Sequence, residues 1–163
     1  MNQPFDTKCA QLDERLGVGR SFDMVSRELY GGGRRAKMWV VNGYAKDMLL
    51  ERAVEKLQEV ETLDGISGVD ELLRRYITVC DAWTSWDRMQ AVTDVFAGKT
   101  LLIIDGFSGG ILLDAKTFPT RSVQEPDAGK VLRGSHDGFV ESIMENAALL
   151  RRRIRDTALT LER

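Results

Sequence analysis

The sequence predicts a single compact α/β domain spanning residues 1–163, in which a mixed β-sheet with hairpins is flanked by helices. Three observations carry this prediction. Segments of helical periodicity alternate with short extended segments, glycine-rich turns join two pairs of extended segments, and 163 residues are enough to enclose one core. The composition, 43% hydrophobic and 29% charged, is that of an ordinary globular chain.

The first predicted hairpin joins residues 22–30 to residues 35–44. Glycines 31–33 separate the two runs, and the second run places Ala36, Met38 and Val40 on one face. Consecutive glycines supply the positive φ angles that tight hairpin turns need, so these residues are interpreted as turn residues.

Two helices are predicted next. Between residues 46 and 60 the apolar side chains recur every three or four positions, which indicates an amphipathic helix. Ser67 with Asp70 three positions later resembles a capping box, and it predicts a second, short helix with Val69 and Leu72 on its apolar side.

The middle of the chain alternates between strands and helices. "ITVCDAW" (77–83) alternates as a strand does, and Thr84 with Asp87 repeats the capping pattern before a helix that ends at Gly98. Met89, Val92 and Phe96 are predicted to form the inward side of that helix.

"TLLIID" (100–105) is apolar almost throughout, as expected of a central strand covered on both faces. After the glycine-rich "GFSGG", "ILLDAKTF" (111–118) is predicted to be its hairpin partner, with Asp105 as a turn residue after the central strand.

The last predicted helix lies within residues 133–156. Val140, Ile143, Ala147, Leu150 and Ile154 form one apolar stripe that should lie against the rest of the domain. Acidic residues precede basic ones along this helix, an order that complements the helix dipole. Three consecutive arginines, 151–153, fan out by about 100° each, so they cannot all face solvent. At least one is therefore expected to meet a carboxylate of this domain or of a neighbour; a solvated basic helix end is the alternative.

The composition excludes several functional classes. A net charge of −2 supplies no electrostatic reason to expect nucleic acid as a partner. Cys9 and Cys80 are too isolated to indicate a zinc site or a disulfide framework, and no apolar run is long enough to cross a bilayer. No motif implies a metal or a cofactor.

One catalytic pattern is present. "GFSGG" (106–110) satisfies the Gly-x-Ser-x-Gly pattern of serine hydrolases, and Asp114 and His136 follow Ser108 in the order of that triad. In those enzymes the serine lies on a turn from a strand into a helix, whereas a second strand is predicted here. The serine hydrolase is therefore the less favoured hypothesis.

The run "DGFSGGILLDAKTFPTRSVQEPDAGKVLRGSHDGFVESIMENAALLRRRI" resembles the A-subunit family of bacterial spore germination receptors. The upstream run "GGRRAKMWVVNGYAKDMLLERAVEKL" is also similar to that family, and "RGSHDGF" is most similar to its stage V sporulation protein AF branch. One departure is Gly129, where relatives commonly carry an acidic residue. The resemblance points to these positions as interaction or structural residues: Asp105, Gly106, Arg121, Glu125, Pro126, Arg133, Gly134, Gly138, Phe139, Glu141, Asn146, Arg151, Arg152 and Arg153.

The resemblance implies a non-catalytic chain that is the N-terminal cytosolic subdomain of a longer protein of the spore inner membrane. Its implied partners are its own second soluble subdomain and membrane domain, other germination membrane proteins, and further copies of itself in the full-length form. The assemblies of this family are associated with ion release during germination, and no cofactor or enzymatic activity comes with the resemblance.

Two hypotheses follow for the function of the chain. In the favoured one it is an interaction and assembly domain, in which the region from Arg121 to Arg153, with Glu125 and Glu141 as candidate ion-pair partners, holds the terminal helix against the sheet or an adjoining subdomain. The alternative is a small-molecule sensor domain, because sheets with flanking helices often hold ligands.

Overall fold

The computed structural model describes residues 3–44, 47–78, 80–115, 141–154 and 156–162. Within them the chain forms five helices and five strands, and all of them belong to one α/β domain. In chain order they are α1 (Phe5–Leu16), β1 (Met24–Gly31), β2 (Arg34–Val41), α2 (Asp47–Glu59), α3 (Val69–Tyr76), β3 (Asp81–Ser85), α4 (Arg88–Phe96), β4 (Thr100–Ile104), β5 (Gly110–Asp114) and α5 (Ile143–Ile154).

The five strands form one sheet in the order β1-β2-β4-β5-β3. Both predicted hairpins are confirmed: β1 pairs with β2, and β4 pairs with β5. Gly32 and Gly33 adopt φ angles of +58° and +75°, as a two-residue hairpin turn requires. Every pairing among the described strands is antiparallel, so the parallel pairings that a mixed sheet includes are absent from them. Strand β3, which precedes β4 in the chain, lies at the sheet edge beside β5 and is antiparallel to it.

Helices cover both faces of the sheet, and alternate residues of each strand supply the two halves of the core. Side chains such as Ala36, Met38 and Leu102 pack with α2 and α3 on one face. Trp39 and Leu101 pack with α1 and α4, and with Ala148 of α5, on the other. Because all five residues of β4 are buried, the prediction of a central strand covered on both sides is confirmed.

The middle helices are confirmed, but their caps differ from the sequence predictions. Gly68 is the N-cap residue of α3 and makes no side-chain cap, whereas Glu71 accepts hydrogen bonds from the backbone N–H and the hydroxyl of Ser67. At α4 the carboxylate of Asp87 accepts from the backbone N–H of Met89. Thr84 instead belongs to β3, which begins at Asp81, later than predicted.

Three features of the helices differ from the sequence prediction. Helix α1 has no counterpart in the sequence prediction, although it buries Phe5 and Leu12. The inward face of α5 consists of Ala147, Ala148 and Arg151, so the apolar stripe is confirmed at Ala147, whereas Ile143 and Ile154 are half exposed and Val140 lies outside the described residues. Met89 of α4, predicted to face inward, is also exposed. The apolar periodicity did not place Ile143 and Ile154 correctly, because the side of α5 that packs on the core carries a buried ion pair.

Among the described residues, no helix is both long and apolar enough to cross a membrane.

Candidate functional site

The charged group with the deepest burial is an ion pair between α5 and the segment that precedes β1. The side chains of Arg151 and Asp23 are 1% and 0% exposed. Arg151 donates from Nε to Asp23 Oδ2 at 2.5 Å and from Nη2 to Asp23 Oδ1 at 2.9 Å. This two-point geometry orients both groups and is stronger than a single contact.

Ser21 completes the group, which we call the Arg151 cluster (Ser21, Asp23 and Arg151). The hydroxyl of Ser21 donates to Asp23 Oδ1 at 2.6 Å and lies 3.1 Å from Nη2 of Arg151. The Asp23 carboxylate thus has partners on both oxygens, as a buried charge requires. Sequence reasoning did not find Ser21 or Asp23, since nothing in their local pattern distinguishes them from turn residues.

The Arg151 cluster also fastens the segment that follows α5. Leu161 donates its backbone N–H to Ser21 Oγ at 2.9 Å, and Phe22 donates its own to the carbonyl of Leu161 at 2.9 Å. The carbonyl of Leu159 accepts from Nη2 of Arg151 at 3.3 Å. The segment 156–162 is therefore attached beside the start of β1, at one edge of the sheet.

Neighbouring contacts fix the position of α5 on the core. The hydroxyl of Tyr44 donates to the carbonyl of Ala148 at 2.8 Å, and the guanidinium of Arg151 stacks 4.8 Å from the ring centre of Phe96. A side chain at Gly43 would come within 3.3 Å of the carbonyl of Met144, so the absence of a side chain permits the close approach of the helix.

The structure separates two members of the hypothetical serine hydrolase triad. Ser108 is exposed in the loop before β5, whereas Asp114 ends that strand. A five-residue strand spans about 13 Å, so the two side chains lie at opposite ends of β5. The prediction that "GFSGG" leads into a strand is confirmed, and the third member, His136, lies outside the described residues.

A cavity of about 350 Å³ lies beside that loop and is lined by Lys8, Asp105 and Ser108 among others. Lys8 is buried, and its ammonium donates to the carbonyl of Phe107 at 2.9 Å. Desolvation lowers the pKa of Lys8, and the nearby Asp105 opposes that effect. Lys8 thereby joins α1 to the β4–β5 loop. Its neighbour Cys9 is an unreactive thiol, because burial raises its pKa to about 11.

The remaining predicted residues divide into two groups. Asp105 and Gly106 form the turn after β4, where Gly106 has a φ of +83° and a side chain would collide with Arg34. The structure also places Glu141 before α5, and Asn146, Arg152 and Arg153 on that helix. Seven predicted residues lie outside the described residues: Arg121, Glu125, Pro126, Arg133, Gly134, Gly138 and Phe139.

The arginine run itself is divided between the interior and the surface. Arg151 is buried against Asp23, whereas Arg152 and Arg153 are exposed. The prediction that at least one arginine meets a carboxylate is thus confirmed: Arg151 pairs with Asp23, which was not among the predicted partners, and Glu125 lies outside the described residues.

Comparisons with known proteins converge on one family. The family described as Bacillus/Clostridium GerA spore germination protein matches residues 10–163. The chain is 31% identical over 151 residues to stage V sporulation protein AF of Bacillus subtilis, covering 91% of this chain and 30% of that protein. It is 26% identical over 148 residues to spore germination protein GerLA of Bacillus cereus, covering 89% of this chain and 30% of the relative. The chain thus spans about 30% of the length of these two relatives.

A solved structure has the same fold. The crystal structure of the N-terminal domain of the A subunit of the Bacillus megaterium spore germinant receptor GerK3 superimposes with a TM-score of 0.71 at 18% identity. The match covers 98% of this chain and 58% of the other.

Proposed function

Because the chain belongs to the Bacillus/Clostridium GerA spore germination protein family, we propose that it is a non-catalytic interaction and assembly domain of a germination protein in the spore inner membrane. The observation that carries this proposal is the Arg151 cluster, which holds α5 and the segment after it against the sheet. In this role the domain positions its neighbours in the assembly, which acts in ion release during germination.

The division of the arginine run supports an assembly role. Arg151 pairs with the buried carboxylate of Asp23, so α5 is held in a single orientation. That orientation presents Arg152 and Arg153 at the surface, together with the half-exposed Ile143 and Ile154. Exposed arginines suit a partner surface that carries acidic side chains.

The first proposed partner is the protein's own second soluble subdomain, which would be adjacent along the chain. This chain covers 58% of the GerK3 domain structure, which leaves a further part of that chain without a counterpart here. The segment 156–162 is attached beside the start of β1, so the second subdomain is proposed to lie near this edge of the sheet. A membrane domain beyond it, a cytosolic orientation, further copies of the chain and other germination membrane proteins complete the proposed assembly.

Charge reversal at Arg152 tests the proposal in the longer protein. We expect Arg152→Glu to lower the fraction of assembled protein in size-exclusion chromatography with light scattering, and to slow germination of spores that carry it. Arg27→Glu, the same charge change at an exposed site on the edge strand β1, is the matched control and should leave both unchanged.

The 163-residue chain separates assembly from folding. Because Arg152 is exposed, the isolated chain should remain folded with Arg152→Glu. Unfolding of the isolated chain by this substitution, or assembly that survives it, would contradict the proposal.

The non-catalytic assignment has its own test. Ser108 should resist a fluorophosphonate label, since the described part of the β4–β5 loop holds it far from Asp114. Labelling at Ser108 that Ser108→Ala abolishes would restore the serine hydrolase.

A further inference from the structure

A cavity of about 420 Å³ lies between the end of α4, the last turn of α5 and the segment that follows it. Its volume is within the range of small-molecule sites. The lining residues that matter chemically are Thr93, Phe96, Ala97, Arg151, Arg152 and Thr157.

Arg151, one of the residues that line this cavity, has an unsatisfied donor. Its Nε and Nη2 atoms bind Asp23, Ser21 and Leu159, but Nη1 is buried and has no hydrogen-bond partner among the described residues. The guanidinium is planar, so Nη1 lies on the side turned away from the two-point contact with Asp23. Phe96, against whose ring the guanidinium stacks, lines the same cavity. A buried donor without a partner is unfavourable, and an acceptor in the cavity would satisfy it.

The charges around the cavity favour an anionic acceptor. Two arginines and two threonines line it, and none of the described lining residues is acidic. The carbonyl groups at the end of α4 do not counter this preference for an anion. Those of Thr93 and Val95 already accept hydrogen bonds from the backbone N–H groups of Ala97 and Gly98. Phe96 and Ala97 add apolar surface.

The geometry points to a binding site for a small organic carboxylate, whose oxygen accepts from Nη1 of Arg151 and whose apolar body lies against Phe96 and Ala97. The guanidinium is already oriented by Asp23, so little conformational freedom is lost when the ligand binds. This site shares Arg152 with the proposed assembly surface, and it gives the small-molecule sensor hypothesis a location and a ligand class.

Benzoate is a suitable probe, with benzamide as its neutral counterpart and sodium chloride as the control for ionic strength. In a titration of the 163-residue chain followed by two-dimensional amide NMR, we expect saturable shifts at Thr93, Ala97 and Thr157 with benzoate. Benzamide should bind at least about tenfold more weakly, because a charge-assisted hydrogen bond becomes a neutral one.

Two variants locate the site without disturbing the Arg151 cluster. Ala97→Phe fills the cavity from an exposed position and should abolish the saturable shifts. Arg152→Ala should weaken binding several-fold, whereas Arg153→Ala, the adjacent arginine that does not line the cavity, should leave it unchanged. Thermal unfolding of each variant verifies that it is folded.

Four results would overturn the proposal. The first is the absence of saturable shifts with benzoate, and the second is benzoate binding that Ala97→Phe does not affect. The third is binding of an acidic ten-residue peptide in place of benzoate, which would assign the cavity to a protein partner. Equal affinity for benzamide would exclude the carboxylate as the recognised group.

Discussion

Removal of the arginine from the Arg151 cluster should destabilise the domain strongly. Arg151→Met keeps an unbranched apolar stem of similar length but leaves the Asp23 carboxylate buried without its counter-charge. Loss of one partner of a buried ion pair costs about 3–5 kcal/mol. In a domain of this size that corresponds to a fall in Tm of about 6–20 °C.

A double-mutant cycle tests the cause of this loss. Asp23→Asn preserves the shape of the side chain and its contact with Ser21 while removing its charge. In the background of Arg151→Met it should therefore restore stability, because the buried charge that lacks a partner is gone. In the wild-type background the same substitution should be destabilising.

Urea denaturation followed by circular dichroism measures all four free energies of unfolding, and Arg153→Met is the matched control at an exposed arginine. The reasoning fails if Arg151→Met costs less than about 1 kcal/mol, or if the two substitutions are additive.

Two further predictions concern the hairpin turn and the buried thiol. Gly32→Ala should cost about 1–3 kcal/mol more than Gly33→Ala: both residues have positive φ angles, but only at Gly32 would the new methyl group collide with Leu63. If urea denaturation gives the same loss of unfolding free energy for Gly32→Ala and Gly33→Ala, the collision with Leu63 is relieved in the folded protein. For Cys9, the folded state keeps its thiol proton until about pH 11 while the unfolded chain releases it near pH 9.0. The stability that the neutral thiol contributes is therefore complete below pH 9.0 and is lost as the pH rises to about 11. Free energies of unfolding measured over a pH series should show this decline for the wild-type chain, and Cys9→Ala should lack it.

The resemblance, which rests on short motifs in a fixed order along the chain, identified the family correctly. The chain belongs to the family that the sequence indicated, and "DG" at positions 105–106 is the turn that it was predicted to be. The same motifs could not reveal that the three consecutive arginines have different roles, because a run of identical residues carries no information about which side of the helix faces the core.

Local physical chemistry determined most of the secondary structure from the sequence alone. The spacing of apolar residues in α2, the paired glycines between β1 and β2, and the unbroken apolar run of β4 each act within a few residues. Such preferences do not depend on the rest of the chain, so they could be predicted without it.

The tertiary structure alone decided how the functional surface is built. Arg151 and Asp23 are separated by 128 positions, and no local pattern relates them. Because a charge can be buried only beside its partner, the orientation of α5 depends on where the fold brings Asp23. Burial of this ion pair directs Arg151 toward the core, where Ala147 of the predicted stripe also lies, and leaves Ile143 and Ile154 half exposed.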